Sequence, residues 1–150
     1  MRVLVLDPDF WIAAVLADGL AAAGHEVVGL APTVAAALAL AEGVAPEVAV
    51  VARDLGPGGD GATAVRLLRE RFDCPSVLTA DRLDEDAAIR AAAPAAYVLR
   101  STDPHKLLPA LEAARAGATA VTLRGAMLFD GVALPVVSPP GGATDGGQEG

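Results

Sequence analysis

Short runs of valine, leucine and alanine alternate along the chain with longer stretches in which alanine and leucine recur at helical spacing. The short runs predict strands at residues 2–6, 26–31, 47–52, 75–80 and 95–100. They are continuously apolar and do not alternate with polar residues, which is typical of strands buried on both faces of a parallel sheet.

The longer stretches predict five helices, one after each strand, at residues 9–24, 33–43, 60–72, 83–93 and 102–116. Asp9 and Thr33 are the expected N-caps of the first two, because their side-chain oxygens can accept hydrogen bonds from first-turn N–H groups. Pro109 lies inside the fifth segment, where a proline kinks or splits a helix. The alternation predicts an α/β protein with a doubly wound, five-stranded parallel sheet.

This pattern ends near residue 117, so we expect one domain over residues 1–117 and a short C-terminal extension. Residues 118–137 hold two apolar runs around Asp130-Gly131, a dipeptide typical of hairpin turns. The extension is therefore predicted to be a β-hairpin that covers its own sheet edge or a dimerisation arm, and the arm is favoured. Residues 138–150 are rich in glycine and proline and are predicted to be disordered.

The charge and cysteine content exclude several classes of function. The 19 acidic and 11 basic residues give a net charge of −8, which argues against binding to nucleic acids or to anionic membrane surfaces. The single cysteine, Cys74, fits a reducing cytoplasm. No uninterrupted apolar run reaches about 18 residues, so no membrane span is expected.

Ligands of such sheets bind outside the carboxyl ends of the strands, which places the candidate site in the loops that follow them. The candidate residues there are Asp7, Pro8, Asp9, Ala52, Asp54, Thr79 and Arg100.

Four segments in this order, "VLVLDPD", "LGPGGDG", "LTA" and "AYVLR", resemble the receiver domain of bacterial response regulators. The resemblance implies the flavodoxin-like fold of the chemotaxis regulators. It also implies an acidic pair that binds Mg²⁺, a phosphoryl-accepting aspartate after the third strand, and a threonine and a lysine that contact the phosphate. This chemistry needs hard oxygen ligands, a carboxylate acceptor and a cation.

The chain departs from that pattern at three positions. The acidic pair corresponds to Asp7 and Pro8, so one carboxylate is missing. The acceptor corresponds to Ala52, or to Arg53 if the alignment shifts by one, and neither can accept a phosphoryl group. The lysine corresponds to Arg100, which keeps the charge on a larger, planar group. We therefore predict a degenerate pocket with no catalytic residue, no metal and no cofactor.

Several residues have two open interpretations. Asp9 caps the first helix or substitutes as a metal ligand, and Asp54 is an ordinary loop residue or a displaced phosphoacceptor. Thr79 and Tyr97 match the family's switch threonine and switch aromatic, or merely end a strand and lie half-buried on the surface. Arg100 pairs with Asp7, with Asp54 as a candidate second partner, or extends into solvent.

The function predicted from these residues is that of an atypical receiver, not an enzyme, in bacterial signal transduction. It would act by phosphorylation-independent protein–protein interaction, as a cytoplasmic homodimer that contacts a signalling protein or histidine kinase. The alternatives are a small-anion or metabolite-binding module held by Arg100 and Thr79, and a phosphoreceiver that uses Asp54. Trp11 is expected to be partly buried, although a partner surface is the other interpretation.

Overall fold

Five parallel strands form the centre of the fold. The computed structural model describes residues 1–84 and 87–116, together with the backbone of residues 128–129 and 132–133. The strands are β1 (Arg2–Leu6), β2 (Glu26–Ala31), β3 (Val48–Ala52), β4 (Ser76–Ala80) and β5 (Ala96–Leu99). Their order in the sheet is β2-β1-β3-β4-β5, and each neighbouring pair is parallel. The predicted doubly wound sheet is confirmed, and its switch point lies between β1 and β3.

Five helices connect and follow these strands. They are α1 (Phe10–Ala22), α2 (Val34–Val44), α3 (Gly61–Phe72), α4 (Ala87–Ala92) and α5 (Leu108–Arg115). The Asp9 carboxylate accepts from the Trp11 and Ile12 N–H groups at 2.9 and 3.1 Å, and the Thr33 hydroxyl accepts from Ala36 N–H at 3.1 Å. Both N-cap predictions are therefore confirmed. Among the described helices, none combines the length and the apolar character that crossing a membrane requires.

The fourth helix is shorter than the sequence pattern predicts. Residues 83 and 84 are not helical, and the described helix begins at Ala87. The Asp84 carbonyl accepts a hydrogen bond from the Tyr97 hydroxyl at 2.9 Å. A tertiary contact thus engages the backbone group that a helix starting at residue 83 would use for its own first turn.

The fifth helical segment is split, as the position of Pro109 predicts. A 3₁₀ turn spans Pro104–Lys106, and α5 then begins at Leu108, which places Pro109 in its first turn. A proline has no N–H to donate, and this loss is tolerated in a first turn where the N–H has no helical acceptor.

Apolar side chains cover both faces of the sheet. One cluster joins alternate strand residues such as Val5 and Val50 to α1 and α5, and the other joins Leu6 and Val51 to α2, α3 and α4. Successive strand residues such as Val50 and Val51 enter opposite clusters, which explains the continuous apolar runs. The packed sheet fixes the strand ends at which the carboxyl-edge loops begin.

Two short antiparallel strands are described in the C-terminal extension, β6 (Leu128–Phe129) and β7 (Val132–Ala133). The backbone of β7 lies beside β5 at the sheet edge. The other residues of the predicted extension (118–137) and all of the predicted tail (138–150) lie outside the described residues. Their roles as a dimerisation arm and a disordered tail stay predictions.

Candidate functional site

The loops after β3, β4 and β5 surround an open cleft of about 410 Å³ at the carboxyl edge of the sheet. Four of the residues singled out from the sequence line it: Ala52, Asp54, Thr79 and Arg100. Asp7, at the end of β1, is joined to it through Arg100. Parallel strands bring residues from four distant parts of the chain to one edge, as the fold class predicts.

The Asp7 carboxylate and the Arg100 guanidinium form a bidentate ion pair across the cleft edge. Arg100 Nε donates to Asp7 Oδ2 at 3.0 Å, and Nη2 donates to Oδ1 at 2.5 Å. The Asp7 side chain is 4% exposed and that of Arg100 is 23% exposed, so the solvent-extended interpretation of Arg100 is wrong. The hydrogen bond to Asp7 raises the pKa of Arg100 above its ordinary value, and the guanidinium stays charged.

Two further contacts lie beside this pair. Asp9 N–H donates to Asp7 Oδ1 at 2.9 Å, and Arg100 Nη1 lies 3.8 Å from Asp81 Oδ1. The second carboxylate near Arg100 is therefore Asp81, whereas the sequence had suggested Asp54. The guanidinium supplies a fixed positive charge beside Asp7.

Ala52 presents only a methyl group at the position expected for a phosphoryl acceptor. It is the last residue of β3, is 3% exposed and lies in register with Thr79 of β4. Thr79 is 3% exposed, and its hydroxyl lies 3.5 Å from the Val51 carbonyl oxygen. No carboxylate is supplied by either residue.

Asp54 lies two residues beyond Ala52 and is committed to its own loop. It is exposed, and its carboxylate accepts from Gly56 N–H at 2.9 Å, an Asx-type turn contact. This contact favours the loop-residue interpretation over a displaced acceptor.

The residues after β1 do not fit a magnesium ion. Pro8 is exposed and has no side-chain oxygen, Asp9 caps α1, and Asp7 is paired with Arg100. Within the described ranges, no three His, Cys, Asp or Glu side chains are grouped so as to hold a metal. Mg²⁺ prefers several oxygen ligands in octahedral geometry, and here a guanidinium lies beside the one suitable carboxylate.

Arg53 was considered from the sequence only as a shifted acceptor position, and its contact with Tyr97 was not predicted. Its Nη1 donates to the Tyr97 hydroxyl at 3.0 Å, although the two residues are 44 positions apart. Tyr97 is only 7% exposed, so the interpretation of a half-buried surface residue is wrong. The one available signal was an arginine directly after an apolar strand.

An exposed aromatic pair lies at the start of α1, next to the Asp7–Asp9 segment. Phe10 is 74% exposed and Trp11 is 66% exposed. The expectation that Trp11 is partly buried is therefore wrong. The first buried residue of α1 is Ala13.

Solved structures with the same architecture include receiver domains. The receiver domain of a putative response regulator, NarL, from Mycobacterium tuberculosis shares 27% identity at a TM-score of 0.67, covering 77% of this chain and 96% of that one. The BeF3-activated RstA receiver domain from Klebsiella pneumoniae shares 25% identity at a TM-score of 0.66, with coverage of 77% and 98%. The signal receiver domain of a modulated diguanylate cyclase from Desulfovibrio desulfuricans G20 has a TM-score of 0.69 at 21% identity, with coverage of 77% and 94%.

The chain has the receiver-domain fold of response regulators. No protein-family model and no curated protein sequence matches it. The receiver fold covers the sheet and its helices, and the cleft lined by Ala52 and Arg100 lies at the edge where the resemblance implies a phosphoryl-binding pocket.

Proposed function

We propose that this chain is an atypical response-regulator receiver that binds a protein partner in signal transduction without accepting a phosphoryl group or catalysing a reaction. The observation that carries the proposal is Ala52 at the end of β3. A methyl group offers no lone pair to a phosphorus atom, so no acyl phosphate can form at that position.

The Asp7–Arg100 pair supports the same function by replacing what a phosphoryl site would need. A guanidinium bound in bidentate fashion neutralises Asp7 without a metal. It also joins the end of β1 to the end of β5, and through Asp81 it reaches the loop after β4. Under this proposal, the carboxyl-edge loops are held in one arrangement by the chain itself.

Binding to another protein is supported by apolar surface in a strongly acidic chain. Phe10 and Trp11 at the start of α1, and Leu99 at the end of β5, are the large apolar side chains exposed in the described part of the chain. Tryptophan and phenylalanine are enriched in protein interfaces. A histidine kinase or another signalling protein, a homodimer and a cytoplasmic bacterial setting belong to this proposal, and the neighbours from bacteria fit that setting.

The charge of the cleft does not favour the anion-binding alternative. Its lining holds three arginines and four aspartates, a formal excess of one negative charge. Arg53 and Arg100 already donate to partners within the chain. An incoming anion would have to compete with those partners while lying near four carboxylates.

Titration with Mg²⁺ and beryllofluoride, followed by amide NMR, tests the proposal. Beryllofluoride imitates a phosphoryl group on an aspartate, so wild-type amides at Arg53, Thr79 and Asp81 should not shift. An Ala52→Asp variant is the matched comparison, since saturable shifts in that variant alone would show that the missing acceptor prevents binding in the wild type. Saturable shifts at the same amides of the wild type would contradict the proposal. A separate titration with inorganic phosphate alone, followed at the same amides, tests the anion-binding alternative.

A further inference from the structure

Arg53 connects the end of β3 to β5 and to residues 81–84, the part of the β4–α4 loop that the structure describes. We propose that Arg53 is a positioning residue that keeps Tyr97 buried and holds this loop in one arrangement in the absence of any phosphoryl group. The inference rests on the proposed function, since it concerns how a receiver fold without an acceptor keeps its carboxyl-edge loops in place.

The backbone of Arg53 is fixed on both sides. Its N–H donates to the Thr79 carbonyl at 2.7 Å, and its carbonyl accepts from Gly61 N–H at 2.9 Å. The Gly61 backbone passes so close that a Cβ added there would lie 2.6 Å from Arg53 Cα. The guanidinium therefore extends from an anchored point of the sheet.

The Tyr97 hydroxyl both donates and accepts hydrogen bonds among the described residues. The Tyr97 hydroxyl has one hydrogen, which it can donate to the Asp84 carbonyl at 2.9 Å, with the Arg82 carbonyl at 3.2 Å. The same oxygen accepts from Arg53 Nη1 at 3.0 Å. The second hydrogen on that nitrogen points to the Asp84 carbonyl at 3.4 Å.

Removing the guanidinium would take away a charged donor to the Tyr97 hydroxyl. Tyr97 is 7% exposed, and burying a hydroxyl is favourable only when its hydrogen-bonding capacity is used. The Arg53 bond is charge-assisted and stronger than a bond between neutral groups. Arg100 lies 3.8 Å from Asp81 of the same loop, so the arginines that follow β3 and β5 both lie beside residues 81–84.

The single tyrosine of the chain makes the contact directly measurable. Labelling with 3-fluorotyrosine gives one ¹⁹F resonance, whose solvent isotope shift reports exposure of the ring, and amide exchange of residues 81–84 reports loop opening. Arg53→Met keeps the aliphatic stem and removes the guanidinium. We expect a larger isotope shift and about tenfold faster amide exchange, the effect of losing one charge-assisted hydrogen bond.

Three comparison variants separate this role from a general loss of stability. Arg53→Lys keeps a charge without the planar fork, and its exchange rates should fall between those of the wild type and Arg53→Met. Arg66→Met removes an exposed arginine that pairs with Glu70 at 3.2 Å, and it should change neither readout. Tyr97→Phe removes the hydroxyl, and it should speed exchange in the loop while leaving the amides of β1 and β3 protected.

Unchanged isotope shift and loop exchange in Arg53→Met would overturn the inference. Equal acceleration in the loop and in the central strands of both Arg53→Met and Tyr97→Phe would also overturn it, since the effect would then be global. Phosphoryl uptake by the wild-type chain would refute the proposed function without changing the isotope shift or the loop exchange measured for Arg53→Met. Failure of the proposed function and failure of this inference are therefore distinguishable.

Discussion

Replacing Arg100 by methionine should destabilise the fold markedly, because it leaves the Asp7 carboxylate, 4% exposed, without its partner. Removing one member of a fully buried ion pair costs about 3–5 kcal/mol. Arg100 is 23% exposed, and Asp7 keeps the hydrogen bond from Asp9 N–H at 2.9 Å, so both the lost interaction and the remaining penalty are smaller. We expect a loss of about 2 kcal/mol in the free energy of unfolding.

Urea unfolding of a double-mutant cycle isolates the interaction. The cycle compares the wild type with Arg100→Met, Asp7→Asn and the double variant. We expect a coupling energy of about 1–2 kcal/mol, within the range found for residues in direct contact. The dependence of the free energy on urea should not change, since the surface exposed on unfolding is the same.

Arg66→Met is the control for arginine removal as such. Arg66 and Glu70 form an exposed pair on α3, with side chains 44% and 52% exposed, and such a pair contributes at most about 0.5 kcal/mol. If Arg100→Met costs no more than Arg66→Met, or if the coupling energy is zero within error, the structural role assigned to the Asp7–Arg100 pair is refuted.

Five further outcomes are expected. Burial, with a smaller contribution from Asp73, raises the pKa of Cys74 from 9.0 to about 12, so the thiol should react with Ellman's reagent only after unfolding. The thiol of the unfolded chain ionises at a lower pH than the buried thiol. The free energy of unfolding should therefore fall as the pH rises from 9.0 to about 12, which urea titrations at several pH values would measure. Gly61→Ala should cost roughly 1–3 kcal/mol in urea unfolding, because the new Cβ would lie 2.2 Å from the Ala52 carbonyl oxygen. Gly43→Ala, with nothing within 4 Å, should stabilise α2 by up to about 1 kcal/mol. The full chain should sediment as a dimer at micromolar concentration, and a monomer at every concentration would contradict the homodimer.

Local patterns in the sequence were sufficient to predict most of the fold. The apolar runs placed every strand end of the five-stranded sheet within one residue, because a strand buried on both faces tolerates few polar side chains. Asp9 and Thr33 were recognisable as caps since capping depends on groups two or three residues away. The non-helical state of residues 83 and 84 was not recognisable, because it involves a contact with Tyr97, which is distant in sequence.

Parts of the candidate site could be predicted where the identity of a single residue determines what chemistry is possible. Ala52 excludes an acceptor by its chemistry alone, and the Arg100–Asp7 pair followed from opposite charges at two strand ends that the fold brings together. The Arg53–Tyr97 contact could not be predicted, because it depends on side-chain direction and burial. The exposure of Trp11 was missed for the same reason, since an apolar helix start does not reveal which side faces the sheet.

The most direct test of the central claim is the intact mass of the wild-type chain after incubation with acetyl phosphate and Mg²⁺, measured beside the Ala52→Asp variant. We expect no labile phosphoryl adduct on the wild type, because Ala52 has no carboxylate and Arg100 lies beside Asp7 where a metal would bind. An adduct on the variant alone would show that the pocket of the receiver fold persists and that the acceptor is what was lost. A labile adduct of one phosphoryl group on the wild type would contradict the account and direct attention to Asp54.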